Sequence, residues 1–460
     1  MADFQLIYNC PGCGKPSQAP EGTMTNRCEY CGLIVRIGSP HRVLKYFYSS
    51  KIDAYGARMA ADRYLKSKGL SLTGSIEKAE FFYLPFYRFR GMALDYLAPS
   101  TEIIETSDGM PMPVKTKFKL KGKDFDVTTP AFSSDEFGIT SLGIRPQAAA
   151  LYAFSREEIP SEAIVVGSDI TAAHAERQAM DLHRHNIGLY NKSEAVCSAM
   201  IGEKISVIYF PIWAITHKTD GEYKTVLVDS LAKRGYAKID KPFEYTGKKS
   251  IEQNSQFIKP LKHQCPNCGA DLEEKRFSLF YQCVNCDRAY LITDDGYSQI
   301  QCQAAEELLC APYWRFPLEF KHKTRYKTVR DFSKLLTAEI ALLRKEKQEN
   351  RFYLYSPAFK AADVVRWAKK AISILKTQPH AKLKNKPPAK GLDFYIDEPE
   401  AKEMAVFLWQ MSAVKYARLQ GPDFRFTESD MPAGEIVWLP IKDYQLLDMA
   451  SRFKEVNIQQ

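Results

Sequence analysis

The chain has 460 residues, is 45% apolar and 26% charged, and carries a net charge of +9. These fractions are those of a soluble globular protein, with material for three or four cores at this length. They exclude a membrane-spanning class: the longest apolar run, Ile205–Thr216, is too short to cross a bilayer and contains Pro211.

The first element is a cysteine motif. Cys10-Pro11-Gly12-Cys13 is followed by fourteen residues and then Cys28-Glu29-Tyr30-Cys31. The same spacing returns at Cys265-Pro266-Asn267-Cys268 and Cys283-Val284-Asn285-Cys286. A Cys-x2-Cys turn puts two sulfurs on one side of an ion, and a second turn completes a tetrahedron. Gly14, Gly32 and Gly269 follow the second cysteine of three pairs, where a positive φ is expected. Asp287 stands at the fourth such place, and Asp tolerates the left-handed region better than most residues. Two Zn²⁺ ions are expected, one per quartet. Iron, which also accepts four thiolates, is the rival. Four cysteines leave no open position for a catalytic water.

After the first quartet, Ser50–Gly69 has the spacing of an amphipathic helix, and Glu80–Arg90 reads as an extended aromatic run broken by Pro85. Similar runs surround Pro211, Pro312, Pro357 and Pro440. Proline cannot donate to a sheet ladder, so edges, strand starts or bulges are expected there. Repetition of the form predicts duplicated small α/β units. Ile103–Val127 reads as a hairpin in which Lys115, Lys117, Lys119, Lys121 and Lys123 share one face. Such a face serves a nucleic acid or an anionic membrane surface, or protects an edge strand.

Ser168–His185 reads as a helix with Asp169 near its N-cap; His174, His183 and His185 on it lack metal-ligand spacing. Pro242–Lys262 reads as a linker into the second quartet. Lys321, Lys323, Arg325 and Lys327 form a second basic run. Helices are expected over Asp331–Asn350, over Pro357–Thr377 with Pro357 at its first position, and over Pro399–Gln420. Arg366–Lys390 has no acidic residue and several prolines, the pattern of a basic linker. Ile436–Pro440 closes the chain as a strand.

The expected architecture is α+β and multidomain. Its parts are a ribbon over 1–40, α/β domains over 41–160 and 161–258, a second ribbon over 259–294, an α/β domain with a basic linker over 295–390, and a helix-strand domain over 391–460. Eleven cysteines, eight in quartets, suit a reducing compartment, so the cytoplasm is expected. No phosphate-binding glycine loop, dinucleotide fingerprint or nucleophile elbow occurs.

Both quartets, with the strands that follow them, resemble the zinc ribbons of transcription-factor-IIB-type and rubredoxin-like proteins. With the motifs at Pro85, Pro211 and Pro312, the chain resembles bacterial multidomain zinc-ribbon proteins of unassigned activity. Some of those are linked to phage-shock and flotillin-type membrane-stress systems. Members often carry transmembrane helices, and none is expected in this sequence. The resemblance implies a non-enzymatic zinc-binding adaptor or scaffold that engages protein partners. A nucleic-acid-binding protein, with the basic runs as its contact surface, is the second reading, and an enzyme with an interdomain site the third.

Overall fold

The computed structural model describes residues 5–20, 22–38, 43–70, 75–99, 101–105, 111–115, 117–133, 135–143, 151–191, 195–219, 221–250, 260–305, 309–321, 325–333, 349–360, 363–379, 384–388, 390–413, 427 and 430–441. The fold is α+β and mostly strand, with several small sheets. The first ribbon holds β1 (Gln5–Asn9), β2 (Pro16–Pro20), β3 (Thr25–Arg27) and β4 (Ile34–Arg36). Then come β5 (Leu44–Phe47), helix α1 (Ala54–Ser67) and the long β6 (Ser75–Leu97). α1 begins where the Asp53 carboxylate accepts from the Gly56 amide at 2.8 Å. It buries Ala57, Ala60, Ala61 and Leu65, and leaves Tyr55 exposed.

A separate hairpin follows, β7 (Thr101–Glu105) with β8 (Pro111–Lys115), and then β9 (Lys119–Pro130) returns along β6. The expected lysine strand is therefore divided between two elements. Next are β10 (Tyr152–Ala153), β11 (Ile164–Val165), α2 (Ala172–Asn191), β12 (Ala195–Thr219), β13 (Glu222–Asp229) and β14 (Arg234–Ile239). α2 is capped by Thr171, whose Oγ1 accepts from His174 N at 3.3 Å, rather than by Asp169.

The second ribbon holds β15 (Leu261–Lys262), β16 (Phe280–Gln282), β17 (Ala289–Thr293) and β18 (Gly296–Ile300). It leads into β19 (Cys302–Ala304), β20 (Cys310–Pro317), a hairpin β21 (Phe320–Lys321) and β22 (Arg325–Tyr326), then β23 (Tyr353–Pro357). Helices α3 (Val364–Thr377) and α4 (Glu398–Ala413) precede the last described strand, β24 (Glu435–Pro440). Pro357 ends a strand instead of opening a helix. Asp363 caps α3, accepting from Arg366 N at 2.9 Å. The expected linker is partly woven into the fold: Lys384 exchanges two backbone hydrogen bonds with Ala304, at 2.8 and 3.0 Å. Most of the helix expected over Asp331–Asn350, and the end of the one expected to reach Gln420, lie outside the described residues.

Two sheets carry the cores. In the first, β12 lies between β6 and, along its other edge, β5 and then β13; β9 pairs β6. The second runs β19-β24-β20-β23. β5 is parallel to β12, β12 antiparallel to β6, and β6 antiparallel to β9. The same directions hold for β19, β24, β20 and β23. Register matches as well. Pro85 faces Tyr209 while Tyr83 faces Pro211; Pro312 faces Trp438 while Cys310 faces Pro440.

The prolines lie inside these sheets, not only at edges, and the ladder explains how. Ala131 N donates to Pro85 O at 3.0 Å, and Ala358 N to Pro312 O at 2.9 Å. A non-proline residue would return a bond to the same alanine carbonyl. With that donor missing, Ala131 O accepts instead from Asp169 N and Ile170 N, at 3.0 and 3.1 Å. Ala358 O accepts from Tyr395 N and Ile396 N, at 2.7 and 3.3 Å. These amides lead into α2 and α4. Proline in the strand thus frees a carbonyl that docks the approaching helix.

Further pairs follow the same correspondence. Tyr87 donates its hydroxyl to Ile170 O at 3.0 Å, and the Trp314 indole donates to Ile396 O at 2.8 Å. Ala175 and Ala179 on α2, like Ala401 and Ala405 on α4, are fully buried. Small residues there let each helix lie close on its sheet. Past Arg88, β6, β9 and β12 continue as an arm between two layers. Phe89, Ala93, Phe125 and Met200 pack with α2. Leu94, Tyr96, Cys197 and Ala199 join the core of the second sheet, α3 and α4.

Candidate metal centres

Each cysteine pair sits on a tight turn built in the same way. Gly14 N donates to Cys10 O, Gly32 N to Cys28 O, Gly269 N to Cys265 O and Asp287 N to Cys283 O, at 2.8–2.9 Å. The residue after each second cysteine has positive φ: 73° at Gly14, 74° at Gly32, 74° at Gly269 and 56° at Asp287. The turns converge in pairs. Sulfur separations are 3.7 Å for Cys10–Cys31, 3.8 Å for Cys13–Cys28, 3.7 Å for Cys265–Cys286 and 3.5 Å for Cys268–Cys283. A tetrahedron of sulfurs about 2.3 Å from a Zn²⁺ ion has edges of about 3.8 Å. In each quartet all four sulfurs lie within 4.8 Å of one another. None of the eight forms a disulfide. Each quartet could therefore hold one metal ion.

Without an ion the surroundings favour thiolate at only part of each quartet. Burial and the neighbouring cysteines push Cys283 up to about 11. Against the Leu33 amide, burial and the neighbouring cysteines push Cys31 up to about 11 as well. One buried cysteine of each quartet is lowered. Burial works against ionisation of Cys28, but the Cys31 and Tyr30 amides and the Ser17 hydroxyl outweigh it and bring the thiol down to about 6. Burial likewise opposes ionisation of Cys265. The Tyr290 hydroxyl, 3.5 Å away, and the Cys268 and Asn267 amides lower that thiol to about 6. Hydrogen bonds to sulfur spread the charge that four thiolates bring to one ion.

The ribbons are joined to each other. β15, which enters the second ribbon, pairs with β4 of the first: Leu261 faces Arg36 and Lys262 faces Val35. His263 N donates to Ile34 O at 3.0 Å, and Met24 N to Arg276 O at 2.7 Å. Thr25 Oγ1 donates to Lys275 O at 3.0 Å, and the Arg36 guanidinium lies over the Tyr297 ring. The buried His263 ring bridges the Tyr297 hydroxyl and Glu273 O, at 2.5 and 3.2 Å. Burial, assisted by the nearby Arg36, drives its pKa down to about 4 despite the Glu273 carbonyl, so the ring is neutral. The sequence carried little sign of this contact, because the two partners of the β4–β15 ladder are so far apart in the chain.

Other expected residues are distributed as follows. Lys117, Lys119, Lys121 and Lys123 are exposed, the last three alternating along β9. Lys115 ends β8. Lys321 and Arg325 face each other across the β21–β22 pair. Lys327 is exposed, its amide held by Asp331 at 3.0 Å, and Lys323 lies outside the described residues. α3, which carries the exposed Arg366 and Lys369, packs on β9, where a Cβ added to Gly122 would stand 3.6 Å from Val364. Two of the basic runs are thereby neighbours. His174 and His183 do not converge: His183 Nε2 meets the buried Asp95 at 3.1 Å, and His174 meets Gln178. Among the described residues, no helix is long and apolar enough to cross a membrane.

Comparison of the chain with family models, with curated proteins and with solved structures gave no match.

Proposed function

We propose that this protein is a structural zinc protein, an adaptor in which two Zn²⁺ ribbons clamp a duplicated α/β scaffold for engagement of a protein partner. The observation that carries this reading is the pair of closed sulfur quartets. All four corners of each are protein groups, which suits a structural ion and leaves no corner for substrate. The shared strand order, register and proline-freed carbonyls support duplication of a ribbon-plus-sheet unit. α1 then belongs to the first copy alone, since the link from β19 to β20 is too short to hold such a helix. Val284, 88% exposed at the tip of a knuckle, offers an apolar contact on a rigid turn. The cytoplasmic setting and the kinship with membrane-stress proteins belong to this same reading.

The test begins with elemental analysis of the purified chain. Two equivalents of zinc per chain are expected, about one after Cys268→Ser, since ligand loss removes the folding free energy of that site. Iron in place of zinc, or unchanged metal content in the variant, would refute the assignment. Partner capture then compares wild type with Val284→Asp. A stoichiometric partner lost in the variant supports an adaptor; a partner held equally by both removes the knuckle from the proposal.

A second reading is supported by one observation, the adjacency of the β9 lysines to α3 with Arg366 and Lys369. Such a surface would bind nucleic-acid phosphates. Anisotropy titrations with RNA and DNA at about 50 and 200 mM salt decide it. Binding that persists at the higher salt and is lost in Lys121→Glu/Lys123→Glu favours this reading. Absence of binding ends it.

A further inference from the structure

The two halves of the molecule meet at a strand edge. The Ala195–Lys204 part of β12 pairs with β6, while β5 and β13 engage only later residues on the opposite side. α4 covers this uncovered edge. Glu400 Oε1 accepts from Gly202 N, and Glu403 Oε1 accepts from Met200 N at 3.5 Å. Carboxylates three positions apart on a helix thus serve alternate amides of a strand. A bulge between Ile201 and Lys204 makes the geometry fit, with Gly202 at φ 65°. It also carries Glu203 inward, where Oε1 is buried without a hydrogen-bond partner.

The charges around Glu203 are mainly of its own sign. Glu176 faces it from α2, and Glu400 and Glu403 from α4. Asp397 at the start of α4 adds to the charge around Glu400. The cations are Lys204 beside it, Arg90 opposite Lys204 on β6, and Lys360. A Cβ added to Gly202 would stand 3.3 Å from Lys360 Nζ.

We propose that this edge is a proton-operated latch between the two halves, closed while Glu203 is neutral and released when Glu203 and Glu400 are both ionised. Burial and three neighbouring carboxylates push Glu203 up to about 8. Burial pushes Glu400 up to about 7, against the Gly202 amide and Lys360, which favour its charged form. Both values lie above the ordinary carboxyl range, so the closed state binds more protons than the open one. Its stability is greatest below about pH 4.5, falls as pH rises above that value, and levels off once pH passes about 8. Lys360 opposes the carboxyls: burial lowers its pKa, so the closed state binds fewer protons there and is favoured by that group as pH rises.

Hydrogen exchange of the full metal-loaded chain tests this, with rates corrected for intrinsic base catalysis. Between about pH 6.5 and pH 9, peptides covering 195–205 and 398–413 should lose at least about tenfold in protection. Peptides from β13 and α1 should hold theirs. In Glu203→Gln, whose side chain stays neutral, most of the pH dependence should vanish. Equal protection at both pH values, uniform loss across the molecule, or an unchanged profile in the variant would each overturn the proposal. Should Glu203→Gln fail to fold, Glu400→Gln takes its place, with a reduced and shifted transition expected. The wild-type profile alone still refutes the latch if it is flat.

Discussion

Tyr87 and Trp314 hold equivalent places in the two sheets and differ in ring and donor atom, yet each donates to the carbonyl just before a helix cap. Tyr87→Phe keeps the ring and deletes the donor, and a stability loss of about 1 kcal/mol is expected in urea denaturation. A change below about 0.3 kcal/mol would mean that the bond adds little to what the ring already holds. Residue-scale features were the most legible in the sequence. The positive φ after each cysteine pair is a local demand, so Gly14, Gly32, Gly269 and Asp287 could be assigned without the fold. Pro357 shows the opposite case. Proline is common at the first helical position, but here it is the last residue of β23, and Asp363 makes the cap six residues later. The Glu203 environment was invisible in advance, because its neighbours come from four other stretches of chain.

Among the elements, β6 and β20 are two whose interior proline the ladder accounts for. Pro85→Ala restores an amide that aims at Ala131 O, already taken by Asp169 and Ile170. Either the new donor stays buried and unpaired or the segment entering α2 is displaced. We expect a loss of about 1–3 kcal/mol, beyond the ~0.4–1 kcal/mol that a more flexible unfolded chain costs. Protection of α2 in hydrogen exchange should fall with it. A neutral substitution would show that the carbonyl can serve three donors. The aromatic-proline runs were visible in sequence as a repeated form. Their purpose was not, because the carbonyl they free belongs to another strand. The basic run at Lys384 misled for a related reason: composition marks a linker, while its backbone pairs with Ala304.

At the scale of the whole molecule, the two cysteine quartets lie on ribbons that share one sheet. β4 has β3 on one side and β15 on the other, so the first ribbon is finished by the second. Removing the ion from the second quartet should therefore loosen both. In Cys268→Ser, protease cleavage within residues 5–38 should accelerate at least about threefold, although the first quartet is intact. Cleavage confined to the second ribbon would show the two to be independent. The α+β class and the two quartets could be read from the sequence. The assembly could not, since burial of β15 on β4 depends on a pairing with no local signature.

The β4–β15 ladder also sets an order of events during synthesis. Val35 leaves the ribosome long before Lys262, so β4 must wait with one edge open while β5 to β14 are made. Closing a contact across that much chain is slow compared with forming a hairpin. Until it closes, a nascent chain offers a bare strand edge at its N-terminal end, where a chaperone or a second nascent chain can pair.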